Sequence, residues 1–156
     1  MRTDDGQAEP RWLDAEEQQI WGTVAASLTL LDSALDAQLQ RDAGMSHFEY
    51  RVLAILSGAT DRTAPMSQLA ILTNGSLSRL SHTTARLEKR GWVARRPDPS
   101  NGRVTLVTLT DTGWAQLADA APGHVEVVRR TVFDPLTKTQ LRHLGEAHRR
   151  ILKALT

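Results

Sequence analysis

Residues 74–91 read NGSLSRLSHTTARLEKRG, and their spacing predicts a helix after a short turn. On a wheel of about 100° per residue, Leu77, Leu80, Thr84 and Leu87 fall on one side, which is expected to dock on the domain. Ser78, His82, Ala85 and Lys89 fall opposite, flanked by Arg79, Ser81 and Arg86. That outer side is polar and basic and carries almost no acid. Gly91 suits the left-handed residue that ends a helix, and Trp92 and Val93 then anchor the chain as it becomes extended.

The neighbours give this helix a context. Upstream, Ser46 and Glu49 form a capping box that opens a short helix with Phe48, Val52, Leu53 and Leu56 inward and a stop by Gly58. TDRTAP reads as loop, MSQLAILT as a short amphipathic helix, and NGS as the turn before the quoted helix. Downstream, RRPDPSNGRVTLVTLT contains two β-prone runs around proline, aspartate, asparagine and glycine, a β-hairpin with Arg103 at its tip. Helix, turn, helix and basic hairpin in direct succession describe a winged helix-turn-helix, whose second helix enters the major groove.

The flanks are helical. Asp14 and Glu17 open a first helix whose stripe of Trp21, Val24, Leu28, Leu31, Leu35 and Leu39 runs to Gly44. About 27 residues at 1.5 Å each make a rod of roughly 40 Å, longer than so small a domain needs for its own core. Part of the stripe is therefore expected to be buried by another chain. Thr110 caps a helix through Trp114, Leu117 and Ala121 that Pro122 and Gly123 should break or kink. Thr137 and Gln140 open the last helix, which aligns Leu141, Leu144, His148, Ile151 and Leu155. The expected fold is mainly α with a small β-hairpin wing. It divides into a tail at residues 1–10, a helical dimerisation region at 11–43 and 111–156, and a winged helix-turn-helix at 44–110.

Charge is segregated along a chain of 156 residues whose net charge is only +1. Residues 1–42 hold three basic side chains against nine acidic ones, whereas residues 76–104 hold seven basic ones against Glu88 and Asp98. A concentrated basic segment in a near-neutral protein fits one surface that meets a polyanion, with a solvated charged face as the competing explanation. The polar, acidic start MRTDDGQAEP lacks the basic and apolar runs of a signal peptide, and no apolar stretch approaches the length of a membrane span. A mobile tail on a cytoplasmic protein, with no membrane partner, is the expectation. The absence of cysteine removes disulfides, thiolate nucleophiles and cysteine redox switches.

Several local pieces together are more specific than any one of them. Leu69 and Ala70, the serine-rich helix, LEKRGWV at 87–93, Asp98-Pro99 followed by Arg103, and LTDTG at 109–113 resemble the MarR family of bacterial transcriptional regulators. The likeness extends over nearly the whole chain after the tail. It implies a homodimer with interlocked terminal helices and two winged domains on a double-stranded, pseudo-palindromic operator. By the same resemblance Ser78, Arg79, Ser81, His82 and Arg86 contact bases and phosphates, and Arg103 enters the minor groove beside Arg96 on the basic hairpin. The chemistry agrees: arginine pairs bidentately with guanine, and a narrow minor groove attracts a guanidinium. Ser67 and Gln68, at the start of the preceding helix, are further phosphate contacts. The family often carries an acid two places before the wing arginine; here stands Asn101, which either orients Arg103 without charge assistance or forms a tight turn with Gly102.

The resemblance also implies a repressor released by a small aromatic or anionic effector between dimerisation helices and winged domain. Trp21, His47, Tyr50 and Arg51 lie on the two helices expected to line that crevice. Trp21 also suits a dimer core, and Tyr50 plain packing. The five histidines, His47, His82, His124, His143 and His148, show no pair at the i, i+4 spacing of a helical metal site, so no metal or cofactor is expected. Ser78 and His82 lack a third orienting group and sit on a convex face, so no catalysis is expected either. The competing reading from another class is a winged-helix protein-interaction module that no longer binds DNA.

Overall fold

The structure, a computed structural model, describes residues 9–156. The expected tail at 1–10 therefore lies, apart from Glu9 and Pro10, outside the described residues. Helix α1 spans Ala15–Ala43, opened by the Asp14–Glu17 capping box and closed by Gly44 in the left-handed region at φ 61°. Helix α2 spans His47–Ser57 with the Ser46–Glu49 box intact. Both starts were legible because a capping box involves only four neighbouring residues.

The segment TDRTAP is not simply loop. Asp61 and Arg62 both take positive φ, 51° and 53°, and turn the chain into a short strand, β1, at Thr63–Pro65. Helix α3 (Met66–Thr73) and helix α4 (Leu77–Lys89) follow, joined by a turn in which Asn74 is left-handed at φ 50°. Strands β2 (Val93–Asp98) and β3 (Asn101–Leu109) form the hairpin. The sheet order is β1-β3-β2, all antiparallel, with Ala64 opposite Val107 and Val93 opposite Leu109. β1 eluded the sequence reading because its partner β3 lies some forty residues downstream and three residues carry no periodicity of their own.

The hairpin turn falls at Pro99 and Ser100, with Asp98 accepting from the Ser100 N–H and Oγ at 2.8 Å each. Those two bonds hold the Asp98 carboxyl below the usual carboxylate range. Asn101 and Gly102 are thus the first residues of β3, and the tight-turn reading of that pair is corrected.

Helix α5 spans Asp111–Val128, capped by Thr110, whose Oγ1 also donates to the Gly91 carbonyl at 2.6 Å. Gly113 sits so close to the Trp92 carbonyl that no side chain fits there. The expected break at Pro122 is absent. The helix runs through it, and the irregularity comes later as a π turn at Arg129–Phe133. Helix α6 spans Lys138–Leu155 behind the Thr137–Gln140 box.

The core sits between α1, α2, α4 and the sheet, with Leu39, Val52, Leu53, Leu69, Leu80 and Val107 fully buried. On α4 the inward side is Leu80, Thr83, Thr84 and Leu87. Leu77, assigned to that side from the wheel, is 58% exposed, and Thr83 takes its share of the interior. Leu77 is the first helical residue, and the core does not reach that far. Along the α1 stripe only Leu35 and Leu39 are buried by the chain itself, while Trp21 and Leu28 stay exposed. Helix α6 buries nothing.

Candidate nucleic-acid interface

The outer face of α4 is presented by a rigid base. Ser76 caps the helix by accepting from the Arg79 N–H at 3.1 Å, and Ser78, Arg79, Ser81, His82 and Arg86 are all exposed. Two of these are posed by α2. The Arg79 guanidinium lies 4.0 Å from the Phe48 ring centroid, a cation–π contact that restricts a long side chain without consuming its donors. Arg86 Nε donates to Glu49 Oε1 at 3.2 Å. Glu49 is 5% exposed at its side chain against 58% for Arg86, and its other oxygen accepts from the Ser46 N–H and Oγ at 2.8 and 3.1 Å. A buried carboxylate thus steers an exposed arginine.

The remaining basic groups divide clearly. Arg95 pairs with Glu88 at 2.9 and 2.7 Å, and these bonds pull the Glu88 carboxyl below its usual range. Arg90 donates to the Gly44 carbonyl at 2.9 Å and lies 4.8 Å from the Trp92 ring centroid. It is a clip between the end of α4 and the end of α1 rather than a free cation. Arg96 and Arg103 are exposed on the wing, and among the described residues neither has an ion-pair partner. Asn101 Oδ1 accepts from the Arg103 backbone N–H at 3.2 Å, so this asparagine shapes the strand and does not hold the guanidinium. Ser67 and Gln68 are exposed in the first turn of α3, whose start has no side-chain cap.

The predicted crevice is only partly assembled. His47 Nδ1 meets Asp32 Oδ1 at 2.7 Å and its backbone N–H donates to Asp36 at 2.7 Å, which fastens α2 to α1. Tyr50 is buried with its ring 4.3 Å from that of His124, and His47 lies 5.7 Å from the same imidazole. His124 comes from α5, and its role was illegible in sequence because the cluster joins residues more than seventy positions apart. Its Nδ1 is buried without a partner, and burial, then the neighbouring His47, push its pKa down. A cleft of about 250 Å³ between α2 and α5 opens beside Tyr50 and Trp114. Arg51 is half-buried. Trp21 does not join this group: eleven residues separate it from Asp32 along α1, about 16 Å of helix, and it is 59% exposed.

The pattern of the MarR family matches residues 45–105, which span α2 to the middle of β3. The HTH-type transcriptional regulator PecS of Dickeya dadantii is 32% identical over 92% of this chain and 86% of its own length. Among solved structures, Sco3205 of Streptomyces coelicolor, a MarR family transcriptional regulator in complex with DNA, is 48% identical with a TM-score of 0.91, over 96% of this chain and 93% of that one. AbsC, a MarR family regulator of the same organism, is 35% identical with a TM-score of 0.87, over 94% of this chain and 98% of that one. Sequence, winged architecture and the basic helix with its basic hairpin agree, and the chain belongs to the MarR family of transcriptional regulators.

Proposed function

We propose that the protein is a homodimeric, cytoplasmic repressor that binds a pseudo-palindromic operator and is released from it by a small aromatic or anionic ligand. The winged unit of residues 44–110 holds the DNA, and residues 11–43 with 111–156 pair two chains. The observation that carries this reading is the posed cationic face. Arg79 and Arg86 are exposed and fixed in place by Phe48 and Glu49, and the wing adds Arg96 and Arg103, which have no ion-pair partner among the described residues. The relative Sco3205 in complex with DNA supports the same use of the face. On this reading Ser78, Ser81 and His82 contact base edges or phosphate, and Ser67 and Gln68 contact phosphate. No helix among the described residues is long and apolar enough to cross a membrane.

The effector docks in the cleft lined by Tyr50 and Trp114, where rings stack, with His124 against Tyr50 behind it and Arg51 as the next residue along α2. Four consecutive residues of α2 connect that cleft to the DNA face: His47 reaches α1, Phe48 and Glu49 reach α4, and Tyr50 reaches α5. A ligand that prefers a shifted α2 changes how two recognition arginines are posed, and so has differential affinity for bound and free forms.

A salt titration against the DNA upstream of the protein's own gene tests the proposal. Each phosphate neutralised contributes about 0.9 to the log–log slope, so Arg79→Ala with Arg103→Ala should flatten it by about 2. Small aromatic acids that bind should raise the melting temperature and weaken the complex. No binding at low salt, or an unchanged slope in the double variant, overturns the reading.

A further inference from the structure

Leu77 opens the recognition helix and is 58% exposed, although the helix has a well-filled inner side immediately beyond it. We propose that Leu77 reads sequence, by packing on the 5-methyl group of a thymine in the operator's major groove. This inference rests on the DNA-binding reading above and names the residue that gives it an apolar specificity element.

Three observations converge on Leu77. The backbone that carries it is held: Ser76 uses its hydroxyl to cap α4, and Gly75 packs so tightly that an added Cβ would stand 2.8 Å from Phe48 Cζ. The turn carrying Leu77 is therefore stiff. It is also in the right place, because the first residues of a recognition helix are the ones that approach base edges. Its surroundings, finally, point to a polyanion: Ser78 and Arg79 follow directly, and Ser67 stands across the shallow concavity between α3 and α4 that Leu77 lines with Ala70 and Ile71. An apolar side chain beside hydroxyls and Arg79, with only Ala70 and Ile71 of α3 sharing its concavity, is left largely open to whatever meets this face. Its exposed apolar neighbours are Ile71 and Leu72 on α3, a small patch beside the cationic face, whereas the long apolar stripes lie elsewhere, on α1 and α6. In the major groove the thymine methyl is the apolar group on offer, and it distinguishes T·A from the other pairs.

Binding sites are selected with the full-length protein from a random duplex library, and each thymine of the selected site is replaced in turn by uracil, which removes only the methyl group. The wild type should lose about fourfold in affinity at one thymine per half-site, the worth of one buried methyl. Leu77→Ala should bind the thymine site more weakly, lose its sensitivity to uracil at that position, and keep the wild-type melting temperature. Leu77→Met should retain the sensitivity. A flat uracil scan in the wild type, an equal loss in Leu77→Ala, or a lowered melting temperature in that variant overturns the inference while leaving DNA binding intact. If selection enriches no sequence and binding shows no salt dependence, the DNA-binding reading itself falls.

Discussion

Seven basic side chains lie between Arg79 and Arg103, and the structure sorts them by what each touches. Arg90 and Arg95 are committed to the Gly44 carbonyl and to Glu88, Arg79 and Arg86 are posed by Phe48 and Glu49, and Lys89, Arg96 and Arg103 have no ion-pair partner among the described residues. The charge count along the sequence identified the segment but could not divide it. Pairing depends on Glu49, 37 residues before Arg86, and on the register that puts Glu88 beside Arg95. Arg86 and Arg103 should therefore differ in kind. Arg86→Ala leaves the buried Glu49 carboxylate with only the Ser46 donors, which should cost about 1–2 kcal/mol of stability; the solvent around the exposed arginine keeps the figure small. Arg103→Ala removes no internal contact of its side chain and should stay within about 0.5 kcal/mol. Both should weaken DNA binding and flatten its salt dependence. Urea unfolding of the two variants beside a DNA titration checks this, and equal stability would show that Glu49 does not rely on Arg86.

Elements were legible where their signals are local and obscure where they depend on distant partners. All three capping boxes and the left-handed Gly91 at φ 73° stand where the residues placed them, since each needs only a few neighbouring side chains; the hairpin does too, except that its turn falls at Pro99 and Ser100, which leaves Arg103 as the third residue of β3 and not at the tip. The continuity of α5 through Pro122, the strand β1 and the His47–Tyr50–His124 cluster were not foreseen, because tertiary contacts set them. The cluster has a measurable consequence. His124 is held neutral by burial and, secondarily, by His47, so its folded pKa lies below the ordinary value near 6.5. The groups facing it are His47, which is bonded to Asp32 and has Asp36 on its backbone, and Tyr50, whose own pKa burial raises. A depressed folded pKa means that the unfolded chain binds more protons between the two values. The stabilisation is present above about pH 6.5 and is lost as the pH falls through the folded pKa. The melting temperature should drop between pH 7.5 and 5, and should drop less in His124→Gln. Parallel curves for the two proteins would remove His124 as the cause.

At the scale of the whole molecule, the single chain leaves an account unbalanced. Helix α6 is capped at its start and apolar along one side, yet buries no residue in its own chain. Trp21 and Leu28 on α1, with Leu144, Ile151, Leu152 and Leu155 on α6, are all exposed. So many exposed apolar side chains on two helices, with Leu28 and Leu144 lining one groove, fit an interaction site, and the two helices carrying them are the first and last of the chain, as the overlong amino-terminal stripe suggested. A two-fold pairing through α1 and α6 would set two copies of α4 on one side of the dimer, about one helical turn of DNA apart. Ile151→Glu with Leu152→Glu places two charges on that surface without touching the single chain's core. Sedimentation at about 1–10 µM, the range in which a specific standard-size interface is populated, should find the wild type dimeric and the double variant monomeric. The variant should keep its helix content and bind an isolated half-site about as well as the wild type does. Its affinity for the full operator should fall by about 10²-fold or more, the contribution of linking two sites. A wild type that sediments as a monomer would leave the paired-operator reading without its scaffold, and a monomeric variant with full operator affinity would show that one winged unit binds alone.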